Sequence, residues 1–181
     1  MKKNPWKKLD SRMVYTTPWI SVREDRVIRP DGKEGKYSVI EMGHDVYIVA
    51  MDDQERFCLI GQHRYPTGSY SWELPGGNTD GEDIIEAAKR ELWEEAGLKA
   101  RQWQEIGTYE EMNGTTDCVM HVILARELQL TEDNKMAEEA IDNAKKVTIE
   151  QALEMIKTGE IVCALTTAAI LKTALILEKK I

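Results

Sequence analysis

Gly76-Gly77-Asn78-Thr79-Asp80-Gly81-Glu82-Asp83-Ile84-Ile85-Glu86-Ala87-Ala88-Lys89-Arg90-Glu91-Leu92-Trp93-Glu94-Glu95-Ala96-Gly97-Leu98 is the stretch on which the reading of this chain turns. Pro75-Gly76-Gly77 marks a turn. Residues 82–96 contain neither Gly nor Pro and are rich in good helix formers, which predicts a helix there that Gly97 stops. Ile84, Ala88 and Leu92 recur at helical spacing and give that helix an apolar stripe. Glu91 and Glu95 stand one turn apart, with Glu94 beside them on the same side. Like charges at this spacing cost a helix roughly 0.2–0.5 kcal/mol, so stability alone does not select them. Glu86, Arg90 and Glu94 form a second row, in which Arg90 is placed to pair with both carboxylates. That leaves Glu91 and Glu95 for a hard divalent cation. Mg2+ commonly binds one or two carboxylates together with substrate phosphates. A bare Glu-Glu pair is usually a solvated acidic face. A glycine-rich approach, an arginine between the acids and a Gly-Leu exit are together more than such a face requires.

The pattern resembles the Nudix box, in which a Gly, a Glu six positions on, Arg-Glu-Leu, Glu-Glu and Gly-Leu recur at fixed spacing. Gly76, Glu82, Arg90, Glu91, Leu92, Glu94, Glu95, Gly97 and Leu98 meet it without a mismatch. Counting selects Gly76 as the motif glycine, whereas the family's Pro-Ala-Gly opening aligns with Pro75-Gly76-Gly77 and selects Gly77; both assignments stay open at this point. The resemblance implies Mg2+-dependent hydrolysis of a diphosphate linked to another group, with Mn2+ as a substitute cofactor. It implies Glu91 and Glu95 as the first metal ligands, Glu94 shared among metals or water, and a backbone carbonyl near Pro75 or Gly76 completing the coordination. Arg90 and Glu94 enter the catalytic set on the same ground, and Glu82 is expected to orient the metal shell.

With 181 residues the chain can bury one good core, or one core with a small appendage. Hydrophobic residues at 42% and charged residues at 31% describe an ordinary globular protein. A formal net charge of -8 argues against nonspecific binding to nucleic acid or membrane, which would want basic patches. It also means that an anionic diphosphate would be repelled unless bound cations relieved the repulsion. Cys58, Cys118 and Cys163 are odd in number and lack CxxC spacing, which predicts reduced thiols in place of a zinc site or a disulfide framework. Met1-Lys2-Lys3-Asn4-Pro5-Trp6 has no apolar run after it and is not expected to be a signal peptide. The late apolar stretch 161–177 is interrupted by Thr166, Thr167, Lys172 and Thr173, so a packed helix is expected and not a membrane span. The expected location is cytoplasmic.

Residues 11–41 have strand character: Val14-Tyr15, Ile20-Ser21-Val22-Arg23 and Tyr37-Ser38-Val39-Ile40-Glu41 alternate, with a turn at Arg29-Pro30-Asp31-Gly32. A second series runs through 46–51 and 57–65, and 71–74 leads into the motif. Strands near 104–110 and 118–125 and helices near 149–157 and 165–178 follow. Elements in this order suggest a sheet layered between helices. The layout resembles the Nudix fold, an α/β/α sandwich with a mixed sheet. The chain is accordingly read as α/β, with a catalytic domain at 43–181 and a small N-terminal antiparallel β subdomain at 1–42. In the branch of the family that cleaves ADP-ribose and other nucleoside diphosphate sugars, such a subdomain builds a homodimer, and substrate lies between it and the partner's catalytic domain. Gln62-His63-Arg64-Tyr65 and Trp72-Glu73-Leu74-Pro75 resemble that branch's Gln-x-Arg-Tyr and Trp-Glu-Leu-Pro neighbourhoods, so a homodimer through 1–42 is implied.

Arg64 ends a strand just before Pro66-Thr67-Gly68-Ser69, where its guanidinium could grip a phosphate bidentately or make a surface ion pair. The branch resemblance adds Glu73 to the substrate-binding candidates. Trp19 is a candidate to stack on a nucleobase from across a dimer, against the commoner role of simple packing. The branch often takes its general base from a glutamate on a loop beyond the box, which implies Glu139, with Glu138 as its neighbour. The same polar stretch also reads as an ordinary charged loop. His44, His63 and His121 have no metal-ligand spacing and are expected in structural or rim roles. Asn113-Gly114-Thr115-Thr116 reads as a loop at the edge of the site. It lacks the proline-containing signature of typical ADP-ribose enzymes, which leaves room for substrates such as GDP-mannose. The expected function is a Mg2+-dependent pyrophosphohydrolase that converts nucleoside diphosphate sugars to a nucleoside monophosphate and a sugar phosphate. Two alternatives are a Nudix enzyme acting on nucleoside triphosphates or RNA 5' ends, and a non-catalytic nucleotide-binding module. The acidic charge disfavours RNA, and the intact carboxylate set disfavours loss of catalysis.

Overall fold

The computed structural model describes residues 3–178, so Met1 and Lys2 of the N-terminal stretch lie outside the described residues. The chain separates into two compact units, Met1–Gly43 with Glu110–Val119, and His44–Tyr109 with Met120–Ile181.

The first unit is an antiparallel meander of β1 (Lys7–Thr16), β2 (Ser21–Ile28) and β3 (Glu34–Glu41), hydrogen-bonded in that order. Its strands extend beyond the alternating apolar residues, because cross-strand pairs such as Arg12–Glu24 and Lys36–Glu24 continue the ladder where those residues stop. Gly32, at φ +80°, closes the β2–β3 turn by donating its N–H to the Arg29 carbonyl at 2.9 Å. Strand β1 carries two register shifts and is exposed along its whole length. The segment 110–119 joins this unit beside β3: Ile40 N–H donates to the Thr115 carbonyl at 2.9 Å, and the Tyr37 hydroxyl to the Gly114 carbonyl at 2.8 Å.

The remaining elements are β4 (His44–Ala50), β5 (Phe57–Arg64), β6 (Ser69–Glu73), β7 (Gly76–Asn78), α1 (Ile84–Ala96), β8 (Leu98–Lys99), β9 (Gln102–Glu110), β10 (Val119–Arg126), β11 (Gln129–Leu130), β12 (Ile141–Val147), α2 (Ile149–Thr158) and α3 (Ala164–Ile176). One sheet has the order β7-β4-β10-β9, a second the order β12-β5-β6, and β11 pairs with β8. The unbroken apolar run of β4 follows from burial on both faces. Val46, Ile48 and Ala50 pack with Ala87, Ala88 and Leu92 of α1. Tyr47, Val49 and Met51 pack instead with Ala152 and Met155 of α2 and Ala169, Ile170 and Ala174 of α3. Helices therefore cover both faces of the sheet, in the layering expected from the order of elements. Each fully buried Leu or Ile in these layers contributes about 1.5–3 kcal/mol.

Helix α1 begins two residues later than the composition suggests, because Asp83 is its cap and not its first turn. The Asp83 carboxylate accepts from the N–H groups of Ile85 and Glu86 at 2.9 and 3.4 Å. Gly97, at φ +61°, ends the helix as predicted. Thr148 and Gln151 form a capping box at the start of α2. Among the described residues no helix is long and apolar enough to cross a membrane.

Candidate active site

Three carboxylates on the C-terminal half of α1 are buried. Glu91 and Glu94 are each 8% exposed and Glu95 is 6% exposed. Helical spacing brings them together, and the Gly76-Gly77 backbone closes over them. Gly76 N–H donates to Glu95 Oε2 at 2.7 Å. The two glycines are not a simple turn: they form β7, which pairs with β4 so that Gly76 faces Tyr47 and Gly77 faces Val46. Each is required for its own reason. A Cβ at Gly76 would run into the Val46 carbonyl oxygen, and one at Gly77 would come within 2.8–3.0 Å of the Glu91 carboxylate.

Arg90 ties the motif together, keeping Glu94 of its helical row but not Glu86. Its Nε bonds Glu82 at 3.0 Å, its Nη1 bonds Glu91 at 2.6 Å and Glu94 at 3.2 Å, and its Nη2 donates to the Asn78 carbonyl at 2.9 Å. Glu86 turns to Lys89 instead, at 2.7 Å. Glu94 is also paired with Lys135, whose backbone N–H bonds the Glu94 carbonyl at 2.9 Å.

Burial pushes the Glu95 carboxyl up to about 8; the nearby Glu91 and Glu139 charges add to it, against the Gly76 N–H and Arg64. Burial likewise raises Glu91, helped by Glu94 and Glu139 and opposed by Arg90. At Glu94 burial also pushes upward, but Lys135 and Arg90 outweigh it and hold the carboxyl below its ordinary value. Burial thus disfavours the ionised forms of both Glu91 and Glu95 in the metal-free fold, Glu91 despite its bond to Arg90. A cation bound between them would favour their ionisation. Their donor atoms are all oxygen, which suits a hard cation such as Mg2+ and offers nothing to a soft one. The residues present fit that ion.

A cavity of about 350 Å³ opens onto Gly76 and Gly77, lined also by Tyr47, Arg64, Thr67, Ser69, Ser71, Glu73 and Cys163. Arg64 points its guanidinium at Glu73, with Nη2 2.7 Å and Nε 3.2 Å from Glu73 Oε2. Glu73 is buried while the Arg64 side chain is 42% exposed, so the pair lies on the cavity wall with Arg64 reaching solvent. A hollow of similar size, about 360 Å³, lies among Asp52, Arg101, Glu127 and Lys146 and contains no motif residue. The cavity beside Gly76 and Gly77 is the one of these two that adjoins motif residues.

Residues 131–140 are fastened to the end of α1. Thr131 N–H and Oγ1 both donate to the Gly97 carbonyl, at 2.9 and 2.8 Å, and Trp93 Nε1 donates to Asp133 at 3.3 Å. The N–H groups of Glu138 and Glu139 bond the Lys135 carbonyl at 2.8 and 3.1 Å. Glu139 is close enough for its charge to raise both Glu91 and Glu95. Trp19 belongs to the other unit and is 82% exposed. His44 and His121 share a 2.8 Å contact between ring nitrogens, and His121 bonds Glu105 at 2.8 Å. Among the described residues the three cysteines form no disulfide. The motif does not indicate Lys135, Asn78 or the hydroxyls of Thr67, Ser69 and Ser71. Asn78, Thr67, Ser69 and Ser71 stand in segments that the sequence marks, but without a role assigned to their own atoms.

Comparison with known proteins gives a consistent picture. Residues 43–163 match the family model described as NUDIX domain, and residues 6–40 match that of the nucleoside diphosphate sugar hydrolase N-terminal domain. An ADP-ribose pyrophosphatase of Bacillus subtilis is 29% identical over 99% of this chain and 100% of its own length. An ADP-ribose pyrophosphatase of Mycobacterium tuberculosis is 32% identical over 94% of this chain and 84% of its own. The crystal structure of an ADP compounds hydrolase superposes with a TM-score of 0.85 at 19% identity, covering 98% of this chain and 97% of that one.

Proposed function

The chain belongs to the NUDIX domain family of hydrolases, and from that premise we propose that it is a Mg2+-dependent pyrophosphohydrolase of nucleoside diphosphate sugars of the ADP-ribose and GDP-mannose type. It would release a nucleoside monophosphate and a sugar phosphate. One observation carries the reading: the glycines that touch Glu91 and Glu95 also line the cavity that holds Arg64. A diphosphate gripped by Arg64 would have its phosphorus atoms beside the carboxylates. The names of the relatives and the match of residues 6–40 support the sugar-nucleotide branch.

In this reading Glu91 and Glu95 hold the cation, with Glu94 and the backbone at Gly76 beside them. When bound, Mg2+ supplies charge neutralisation at the phosphoryl oxygens and lowers the pKa of coordinated water. Arg90 keeps Glu91 and Glu94 in position through the bonds described. Arg64, oriented by Glu73, binds the diphosphate and stabilises charge as it develops. Glu139, with Glu138 as its neighbour, takes the proton from water as the new P–O bond forms and the bridging P–O bond breaks. The exposed Trp19 presents a face on which a nucleobase can stack. Homodimerisation through residues 1–42 and a cytoplasmic location complete the proposal.

The test is a Mg2+-supplemented hydrolysis panel of ADP-ribose, GDP-mannose, UDP-glucose, a nucleoside triphosphate and triphosphorylated RNA, with Glu95→Gln run beside wild type. Turnover of the sugars that disappears in the variant supports the proposal. Activity confined to the triphosphate or RNA, or no activity from folded protein, rejects it.

A further inference from the structure

Gln62 is 4% exposed, and its amide nitrogen has no hydrogen-bond partner among the described residues. A buried donor left unpaired costs about 1–3 kcal/mol, so an apolar side chain of the same shape would serve the fold better. The strand register says which face of the sheet Gln62 occupies. Gln62 is paired with Ser71, and its neighbours along β5 and β6 pair as Arg64 with Ser69 and Ile60 with Glu73. Paired residues share a face of the sheet, and so do residues two apart along a strand. Gln62 therefore stands on the same face as Arg64, Ser69, Ser71 and Glu73, all four of which line the cavity. On its other side it pairs with Ile141 of β12, two residues after Glu139.

The choice of a carboxamide has a chemical reason at this place. A lysine or arginine there would pair with the nearby acids and cancel the charge that a cation needs. A carboxylate would repel an anionic substrate. A carboxamide donates to an anionic oxygen and leaves the charge balance unchanged. We propose that Gln62 is a substrate-binding residue whose amide N–H donates to an oxygen of the bound diphosphate, working alongside Arg64. This rests on the function proposed above and adds a residue to it.

The experiment compares wild type with Gln62→Met, which keeps the length and volume and removes the donor. Two quantities are read: the melting temperature of ligand-free protein, and calorimetric binding of the methylenediphosphonate analogues of ADP-ribose and GDP-mannose in Mg2+. The expected result is a melting temperature equal to or above wild type, with analogue affinity lowered roughly 10–100-fold, as for loss of a hydrogen bond to a charged group. Gln62→Glu should bind more weakly still. Analogue binding within twofold of wild type in Gln62→Met overturns the assignment, and so does a ligand-free melting temperature lower by several degrees, since the amide would then have a structural partner. A wild type that binds neither analogue overturns this assignment and the function beneath it; equal binding by both proteins overturns the role of Gln62 alone.

Discussion

At Glu95 burial and like charge act in the same direction, and this makes stability depend on pH in an unusual sense. Its carboxyl is pushed from an ordinary 4.5 to about 8 in the metal-free fold. A group whose folded value lies above its unfolded one adds stability while it is protonated. That contribution is complete below about pH 4.5 and is lost as the pH rises through about 8; Glu91, shifted the same way, adds to the loss. Glu94, shifted downward, changes stability only in acid. Metal-free protein should therefore melt at progressively lower temperature from pH 5 to pH 9. Mg2+ should restore the loss most at the alkaline end, and Glu95→Gln should flatten the profile. A melting temperature that rises across this range would contradict the charge balance described. The two motif glycines separate at the same scale. Gly77→Ala puts a methyl against the movable Glu91 carboxylate, so the protein should fold while turnover drops by at least about tenfold, the size of effect expected when a catalytic geometry shifts. Gly76→Ala meets fixed backbone and should unpair β7 from β4, which circular dichroism and melting would register as loss of the fold.

Among the elements, α1 was the most legible, since helix formers, cap, stop glycine and stripe all act within one stretch of chain. The strands β2, β3, β4 and β5 were visible for the same local reason. What the sequence could not display were partnerships made by distant segments. Arg90 sits in a row with Glu86, yet β7 brings the Asn78 carbonyl to it and the turn after β7 brings Glu82, so Glu86 is left to Lys89. Residues 113–116 read as a loop by composition, and nothing local to them foretells their hydrogen bonds to β3. Lys135 is another such case: it stands in an unremarkable polar run, but holds residues 131–140 against Glu94 and lies over the Trp93 ring at 5.6 Å. Lys135→Met should release that segment. We expect kcat to fall more than KM rises, because Glu139 rides on the segment, and cleavage by a protease within 131–140 should accelerate. Unchanged kcat with faster proteolysis would separate the segment's order from catalysis and remove Glu139 from its proposed role.

For the whole molecule the open surface of β1 is the feature with consequences. Met13 is 53% exposed and Tyr15 57%, with Leu9 and Val14 also exposed on a strand that, among the described residues, has no neighbour on its outer side. Scattered apolar residues on a surface need no explanation, but several on one edge strand form a ready template for pairing. Charge works against association, because each chain carries -8 and two copies repel. If the apolar strand prevails, added salt should strengthen the dimer by screening that repulsion, the reverse of an interface built on ion pairs. Sedimentation equilibrium at micromolar concentration should give a dimer whose dissociation constant falls between 50 and 300 mM NaCl, conditions that span Debye lengths from roughly 14 to 6 Å. Met13→Lys with Tyr15→Lys should yield a folded monomer. If the substrate site is completed by the second copy, that variant should also lose affinity for the nucleotide sugar while keeping its Mg2+ affinity, since Glu91 and Glu95 lie within one chain. A wild type that sediments as a monomer throughout would remove the dimer, and Trp19 would then need another explanation for its exposure.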